Sequence, residues 1–231
     1  MGILKRRELF MKYIVIDLEM NAIAQEYVEE REQCKMEVIE IGAVLLDENY
    51  QEIGSFVTLA KPQYNTRIEK RYEKLTGIKT GMVESAPYFS EALSMFFQWC
   101  DSVSGDSQII QWSENDYLQI SREIELKNIF LSERDKGYME SGWFNFQEEY
   151  GQILGVDRNL SLKDAVMYAG KDFVGHQHDA LIDARNTAEL LSIVRDEAKC
   201  KKALRDVMEV LKPKRNISLG ELFDFSKLSL A

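Results

Sequence analysis

The run Tyr13-Ile14-Val15-Ile16 is short, apolar and rich in β-branched and aromatic residues. It predicts a buried strand over residues 12–18. Val38–Leu46 alternates imperfectly and is rich in Ile, Val and Leu, predicting a second strand, and Ile53–Leu59 predicts a third. Asp47–Tyr50 supplies the turn between them, so the first three strands form an antiparallel meander. Gln108–Trp112 is a short apolar strand standing among helices. Thr66 is positioned to cap a helix through Leu75 that ends at Gly77. Ser85 or Tyr88 opens a helix through Cys100, and further helices are predicted over Glu114–Lys127 and Phe144–Leu154. Ser161-Leu162-Lys163-Asp164 resembles a capping box with Asp in the Glu position, opening a helix to about Ala169. From Asp179 to about Val194, Leu181, Ala184, Ala188, Leu191 and Val194 form one apolar stripe at helical spacing. Strands first, then a strand flanked by helices, is the order of an α/β layered domain.

The chain has 231 residues, enough for one large domain or one domain with a helical appendage. Residues 12–195 hold the periodic elements, and 196–231 read as a C-terminal helix and tail. The tail carries a Ser-Leu-Gly-Glu-Leu-Phe segment at 218–223, read as packing back or binding a protein partner. Neither the opening residues nor any later stretch reads as a signal peptide or a membrane span. Cys34, Cys100 and Cys200 are too dispersed for a zinc ribbon or a disulfide framework, and a reducing cytoplasm is the expected location.

A net charge of −10 argues against broad nucleic-acid binding, but the charge is uneven. Residues 61–80 carry six basic side chains against two acids, and 197–215 carry seven against three. Such blocks can track phosphates while the rest of the surface stays acidic, or they are solvated helix faces.

The strongest chemical signal is Asp17-Leu18-Glu19 at the end of the first strand. Residues i and i+2 of a strand share a face, so the two acids project together. Paired carboxylates beside a core are costly unless a cation neutralises them, and a hard divalent ion prefers oxygen ligands. Asp116 lies just after the Gln108–Trp112 strand, in the first turn of a helix. His178 precedes the last predicted helix on a loop that contains Gly175, and Asp183 lies one turn inside that helix. A histidine on a loop beside a fixed carboxylate suits a general base.

In this order, Asp-x-Glu, then Asp after a Trp-bearing strand, then His-x4-Asp, the chain resembles the DEDDh 3′–5′ exonucleases. That superfamily includes RNase T, oligoribonuclease and the epsilon proofreading subunit of DNA polymerase III. Tyr72-Glu73-Lys74-Leu75-Thr76-Gly77-Ile78 is similar to an element of its Eri-type and KapD-like exoribonucleases, and Glu37–Ala43 is similar to the superfamily's second strand. The resemblance covers roughly residues 12–195. It implies an RNase H-like fold with a mixed five-stranded sheet flanked by helices. It implies a 3′–5′ exonuclease that releases nucleoside monophosphates from single-stranded nucleic acid, with RNA favoured over DNA. Asp17, Glu19, Asp116 and Asp183 would hold two Mg²⁺ or Mn²⁺ ions, and His178 would be the base. Leu75, Thr76, Met20 and Asn21 would meet the terminal nucleotide. His176 is the rival base, and Glu40 and Asp179 are rival ligands, with Asp179 preferred as a helix cap. Trp99, Trp112 and Trp143 read as core residues rather than base-stacking platforms. Glu26–Glu32 reads as an acidic loop beside the groove, and 130–143 match no motif.

Overall fold

Period-two alternation in the first strand divides the molecule into two layers. Ile14, Ile16 and Leu18 point to one side of the sheet, into a core with Phe89, Leu93, Phe96 and Phe97. Val15 points to the other side, with Val44, Leu46 and Ile110, against Ala184, Ala188 and Leu191. Asp17 and Glu19 continue the Val15 side. The computed structural model describes residues 11–103 and 106–211. The expected tail segment at 218–223 lies outside the described residues, as does the end of the second basic block.

In chain order the elements are β1 (Lys12–Ala22), α1 (Val28–Gln33), β2 (Met36–Leu46), β3 (Glu52–Leu59), α2 (Lys70–Thr76) and α3 (Thr80–Val83). There follow α4 (Phe89–Asp101), β4 (Ser107–Gln111), α5 (Asn115–Leu126), α6 (Glu133–Glu140) and β5 (Phe144–Asn145). The last are α7 (Phe146–Leu154), α8 (Leu162–Tyr168), α9 (Ala180–Arg195) and α10 (Glu197–Leu211). The strands form a five-stranded mixed sheet in the order β3-β2-β1-β4-β5. β1 pairs antiparallel with β2 and parallel with β4, and β3 completes the meander. This is the mixed five-stranded sheet flanked by helices that the resemblance implies. α10 packs on the same core as α9 through Leu204, which is fully buried.

Several elements differ from their sequence expectation, each for a local reason. Thr66 caps nothing: α2 starts at Lys70, after Glu69. Residues 63–65 are instead bent around the Glu37 carboxylate, to which Gln63, Tyr64 and Asn65 donate their backbone N–H groups. The acidic 26–32 stretch is no loop through most of its length. It forms α1, with Glu29 and Glu30 in the first turn and Arg31 in the last, the arrangement the helix dipole favours. Residues 130–143 contain α6, capped by Ser132, whose hydroxyl accepts from Asp135 N–H. Phe144–Asn145 is a strand pairing with Ile110–Gln111, and Asn145 then caps α7. The caps expected of Ser161 and Asp179 are present, accepting from the Asp164 and Ile182 N–H groups.

Two backbone features of β2 place the acids of β1 and the start of α9. Its register against β1 shifts between Glu19 and Met20, where Glu19 faces Glu40 and Met20 faces Val38. This bulge lies at the end of β1 that carries the acids. Gly42, opposite Asp17, lets the start of α9 rest directly on the strand. A Cβ at Gly42 would lie 2.3 Å from Leu181 N and 2.4 Å from Ala180 C, both backbone atoms. Gly42→Ala therefore pushes α9 off the sheet. It is expected to cost about 1–3 kcal/mol or more in denaturant unfolding. An unchanged unfolding midpoint would show that α9 does not need this approach.

Candidate active site

Asp17 and Glu19 reach their place because β1 extends beyond its pairing with β4, which ends at Ile16 and Gln111. Past that point Leu18 N–H is free of the parallel ladder and donates to the Asp116 carboxylate. Asp116 stands in the first turn of α5, and Gln111 Oε1 steadies that turn by accepting from Tyr117 N–H at 2.9 Å. Asp183 comes from the first turn of α9, brought in by the contact at Gly42. Glu40 does not join as a free ligand: its Oε2 accepts from Ala180 N–H at 3.1 Å and anchors α9 to β2. Asp179 is likewise engaged as the N-cap. The two rival ligands thus position the helix that carries Asp183.

His178 approaches from the loop before α9. The loop turns at Gly175 (φ +87), where a Cβ would lie 2.9 Å from Ile182 Cγ2. His178 itself has φ +63, a conformation that costs a side-chain-bearing residue about 1 kcal/mol or more. That backbone aims its own N–H at Asp183 Oδ2, 3.2 Å away. Glu19, His178 and Asp183 each place one potential ligand atom within 4.8 Å of the others. His176 is exposed and stands outside that group.

The acids share a cleft of about 280 Å³ whose lining also includes Met20, Met36, Tyr72, Leu75, Trp112 and Leu162. Of the four expected substrate contacts, Met20 and Leu75 line it, and Leu75 is 42% exposed. Asn21 and Thr76 do not. Asn21 is 0% exposed; its amide donates to Asn65 O and Arg67 O and accepts from Glu69 N–H. Thr76, 8% exposed, donates to Tyr72 O and accepts from Ile78 N–H. Both hold α2 in place from behind. Tyr72 was not anticipated, although it precedes Leu75 by three positions and so shares its helix face. Trp112 is buried, with its indole N–H on Leu160 O, and Trp99 and Trp143, partly buried, pack against the core.

The electrostatics are those of a site short of positive charge. Burial, and then the charges of Asp116, Asp183, Glu19 and Glu40, hold the Asp17 carboxyl well above its ordinary range. Burial followed by the neighbouring acids pushes Glu19 up to about 9. Asp116 rises to about 7, chiefly through burial and despite the Leu18 hydrogen bond. Asp183 rises to about 6, again chiefly through burial. Asp183 Oδ1 is buried with no hydrogen-bond partner. An all-oxygen carboxylate set, one of its oxygens orphaned, fits hard divalent cations.

Residues 14–191 match the model of the RNase_T exonuclease family. The chain belongs to this exonuclease family. Human ERI1 exoribonuclease 2 is 26% identical over 240 residues, covering 95% of this chain and 33% of that protein. The chain thus spans about a third of the length of the curated relatives it matches. Among solved structures, the nuclease domain of 3′hExo, described as a DEDDh family member bound to rAMP, superposes with a TM-score of 0.69 at 21% identity. The match covers 82% of this chain and 94% of that one. E. coli exonuclease I in complex with a dA16 oligonucleotide gives a TM-score of 0.59 at 15% identity, covering 87% and 42%. These likenesses carry the fold of the family.

A carboxylate whose pKa is raised on folding binds its proton more tightly in the folded state. Its contribution therefore favours folding at low pH and is lost as pH rises from the ordinary carboxylate range through the folded pKa. For Asp183, Asp116 and Glu19 that loss extends up to about 6, 7 and 9 respectively. The metal-free protein is expected to melt at progressively lower temperature as pH is raised from about 5 to about 9. Glu19→Gln should flatten the upper part of that fall. Added Mn²⁺ should raise the melting temperature more at the alkaline end, because the metal competes with protons. Identical pH slopes for wild type and Glu19→Gln in differential scanning fluorimetry would remove Glu19 from the coupled set.

Proposed function

We propose that the chain is a divalent-metal-dependent 3′–5′ exonuclease that removes nucleoside monophosphates from the 3′ end of single-stranded RNA. The observation that carries the reading is the convergence of Asp17, Glu19, Asp116 and Asp183 on one cleft with His178 at its rim. Asp17, Glu19, Asp116 and Asp183 would hold the metal, two Mg²⁺ or Mn²⁺ ions. When bound, such ions supply positive charge that stabilises both the attacking and the leaving oxygen of a phosphodiester.

The chain's own residues account for the remaining requirements. His178 is exposed, and its pKa is held below the ordinary value, first by partial burial and then by His176. At neutral pH a ring nitrogen of His178 is therefore available to accept the proton of the attacking water. The loop geometry that fixes His178 N–H on Asp183 sets where that ring can reach. Leu75, Tyr72 and Met20 offer the terminal nucleoside an apolar wall facing the acids. Arg67, Lys70, Lys74 and Lys79 are exposed on and around α2, where they can meet the phosphates of the strand leading into the cleft.

The RNA preference is supported by the exoribonuclease relatives, and the fold's likeness to a nuclease complexed with a DNA oligonucleotide favours DNA as the second reading. A reducing cytoplasm is the proposed location, supported by Cys34, Cys100 and Cys200 remaining unpaired thiols. No helix among the described residues is long and apolar enough to cross a membrane.

A panel of matched RNA and DNA oligonucleotides, labelled at either end and incubated with Mg²⁺, Mn²⁺ or EDTA, tests these statements together. Stepwise shortening of 5′-labelled RNA, abolished by EDTA, is expected. Asp17→Ala should lower the rate by at least about 100-fold. Wild-type activity in Asp17→Ala sinks the site assignment. Faster DNA digestion moves the substrate to the second reading, and no Mn²⁺ binding with no hydrolysis leaves only a non-catalytic binding module.

A further inference from the structure

A helix packed against a sheet ordinarily turns an apolar stripe inward. α5 does not. Asp116, Gln119 and Glu123 recur at helical spacing along its inner face, followed by Lys127 just past its end, and all are buried; Lys127 is 7% exposed at the side chain. Asp116 belongs to the carboxylate cluster. Lys127 stands at the opposite end of the helix, roughly 16 Å along the axis at 1.5 Å per residue. Its Nζ lies 2.6 Å from Glu123 Oε1 and 2.9 Å from Glu37 Oε1, and both carboxylates are 0% exposed. Burial works against the ammonium, but Glu123 and Glu37 outweigh it.

Glu37 links this ammonium to the substrate side of the cleft. Its Oε1 accepts from Gln63 N–H at 2.6 Å, and its Oε2 from Tyr64 and Asn65 N–H at 2.9 and 3.1 Å. The ring of Tyr64 lies against the same ammonium, 5.9 Å from its centroid. From Asn65 the chain runs into α2, whose Tyr72 and Leu75 wall the cleft. Asn65 Nδ2 adds a strap to Ala22 O at 2.9 Å, three residues beyond Glu19. Two buried carboxylates around one ammonium form a poor device for stability, because desolvation consumes most of the Coulombic gain. They form a good device for register, since each oxygen has a fixed partner.

We propose that Lys127 is a positioning residue for the terminal nucleotide: through Glu37 and the 63–65 backbone it sets where α2 stands over the carboxylates that begin at the other end of α5. α5 is then a spacer, with the metal site at its first turn and the nucleotide wall suspended from its last. The proposal rests on the exonuclease reading and adds a residue remote from the reacting atoms.

Lys127→Met keeps the stem and removes the charge. Steady-state kinetics on a short 5′-labelled RNA, with Mn²⁺ titration calorimetry and a thermal melt, read the effect. The KM is expected to rise about tenfold with kcat within about threefold and Mn²⁺ affinity unchanged, the signature of lost substrate binding without lost chemistry. An unchanged KM, or kcat and Mn²⁺ affinity falling while KM holds, overturns the proposal. Should Lys127→Met fail to fold, Asn65→Ala decides. It removes the strap to Ala22 without stranding a buried charge, and the same rise in KM is expected; an unchanged KM overturns the proposal. Asp17→Ala, run in parallel, separates the two levels: activity there defeats the site assignment whatever Lys127→Met shows.

Discussion

Mutual repulsion among carboxylates crowded into one half-dry cleft is the constraint to which this structure is built. Asp17, Glu19, Asp116 and Asp183 come from a strand and two helices, and each would be more comfortable apart from the others. None is neutralised by a lysine or arginine in the cleft lining. The positive charge has to come from elsewhere, and until it does the acids bind protons more tightly than an ordinary carboxylate. Stability given up at this site has to be recovered in the two apolar layers on either side of the sheet, where Phe89, Phe96, Phe97, Phe146 and Tyr150 are fully buried.

Holding the acids together falls to the backbone and to a second set of polar residues. Gly42 gives α9 room to touch β2, and Glu40 and Asp179 fasten its first turn through N–H groups. The bulge beside Glu19 redirects the end of the hairpin, and the strained backbone of His178 ties the loop to Asp183. Residues that look like members of the site by composition are in fact its scaffold. Glu40, Asp179, Asn21 and Thr76 all hold peptide groups.

This division explains what could be read from the chain. The strands were legible because their apolar runs are long and alternate against a real core, and the long apolar stripe of α9 was legible for the same reason. The acids were legible because strand periodicity alone puts Asp17 and Glu19 on one face. The misread pieces depend on partners far away in sequence. Thr66 has the chemistry of a cap, but Glu37, many residues earlier, claims the adjoining backbone. Asn21 sits beside two acids and resembles a ligand-facing residue, yet it closes on Asn65, Arg67 and Glu69. Short amphipathic pieces such as α6 carry too little periodicity to stand out, and their caps become visible only once the neighbouring turns are known.

The grip of Glu37 on the loop has a consequence for how such a protein can diversify. Three successive bonds go to main-chain amides, so that grip is indifferent to the side chains at 63, 64 and 65. Any residue with an N–H group fits; proline alone is barred. Pro62 stands immediately outside the gripped triplet. The anchor is thereby insulated from the identity of the side chains it carries. At Gln63, the exposed member of the triplet, mutation can change the side chain while the grip stays the same; Tyr64 and Asn65 are held further by their own side chains.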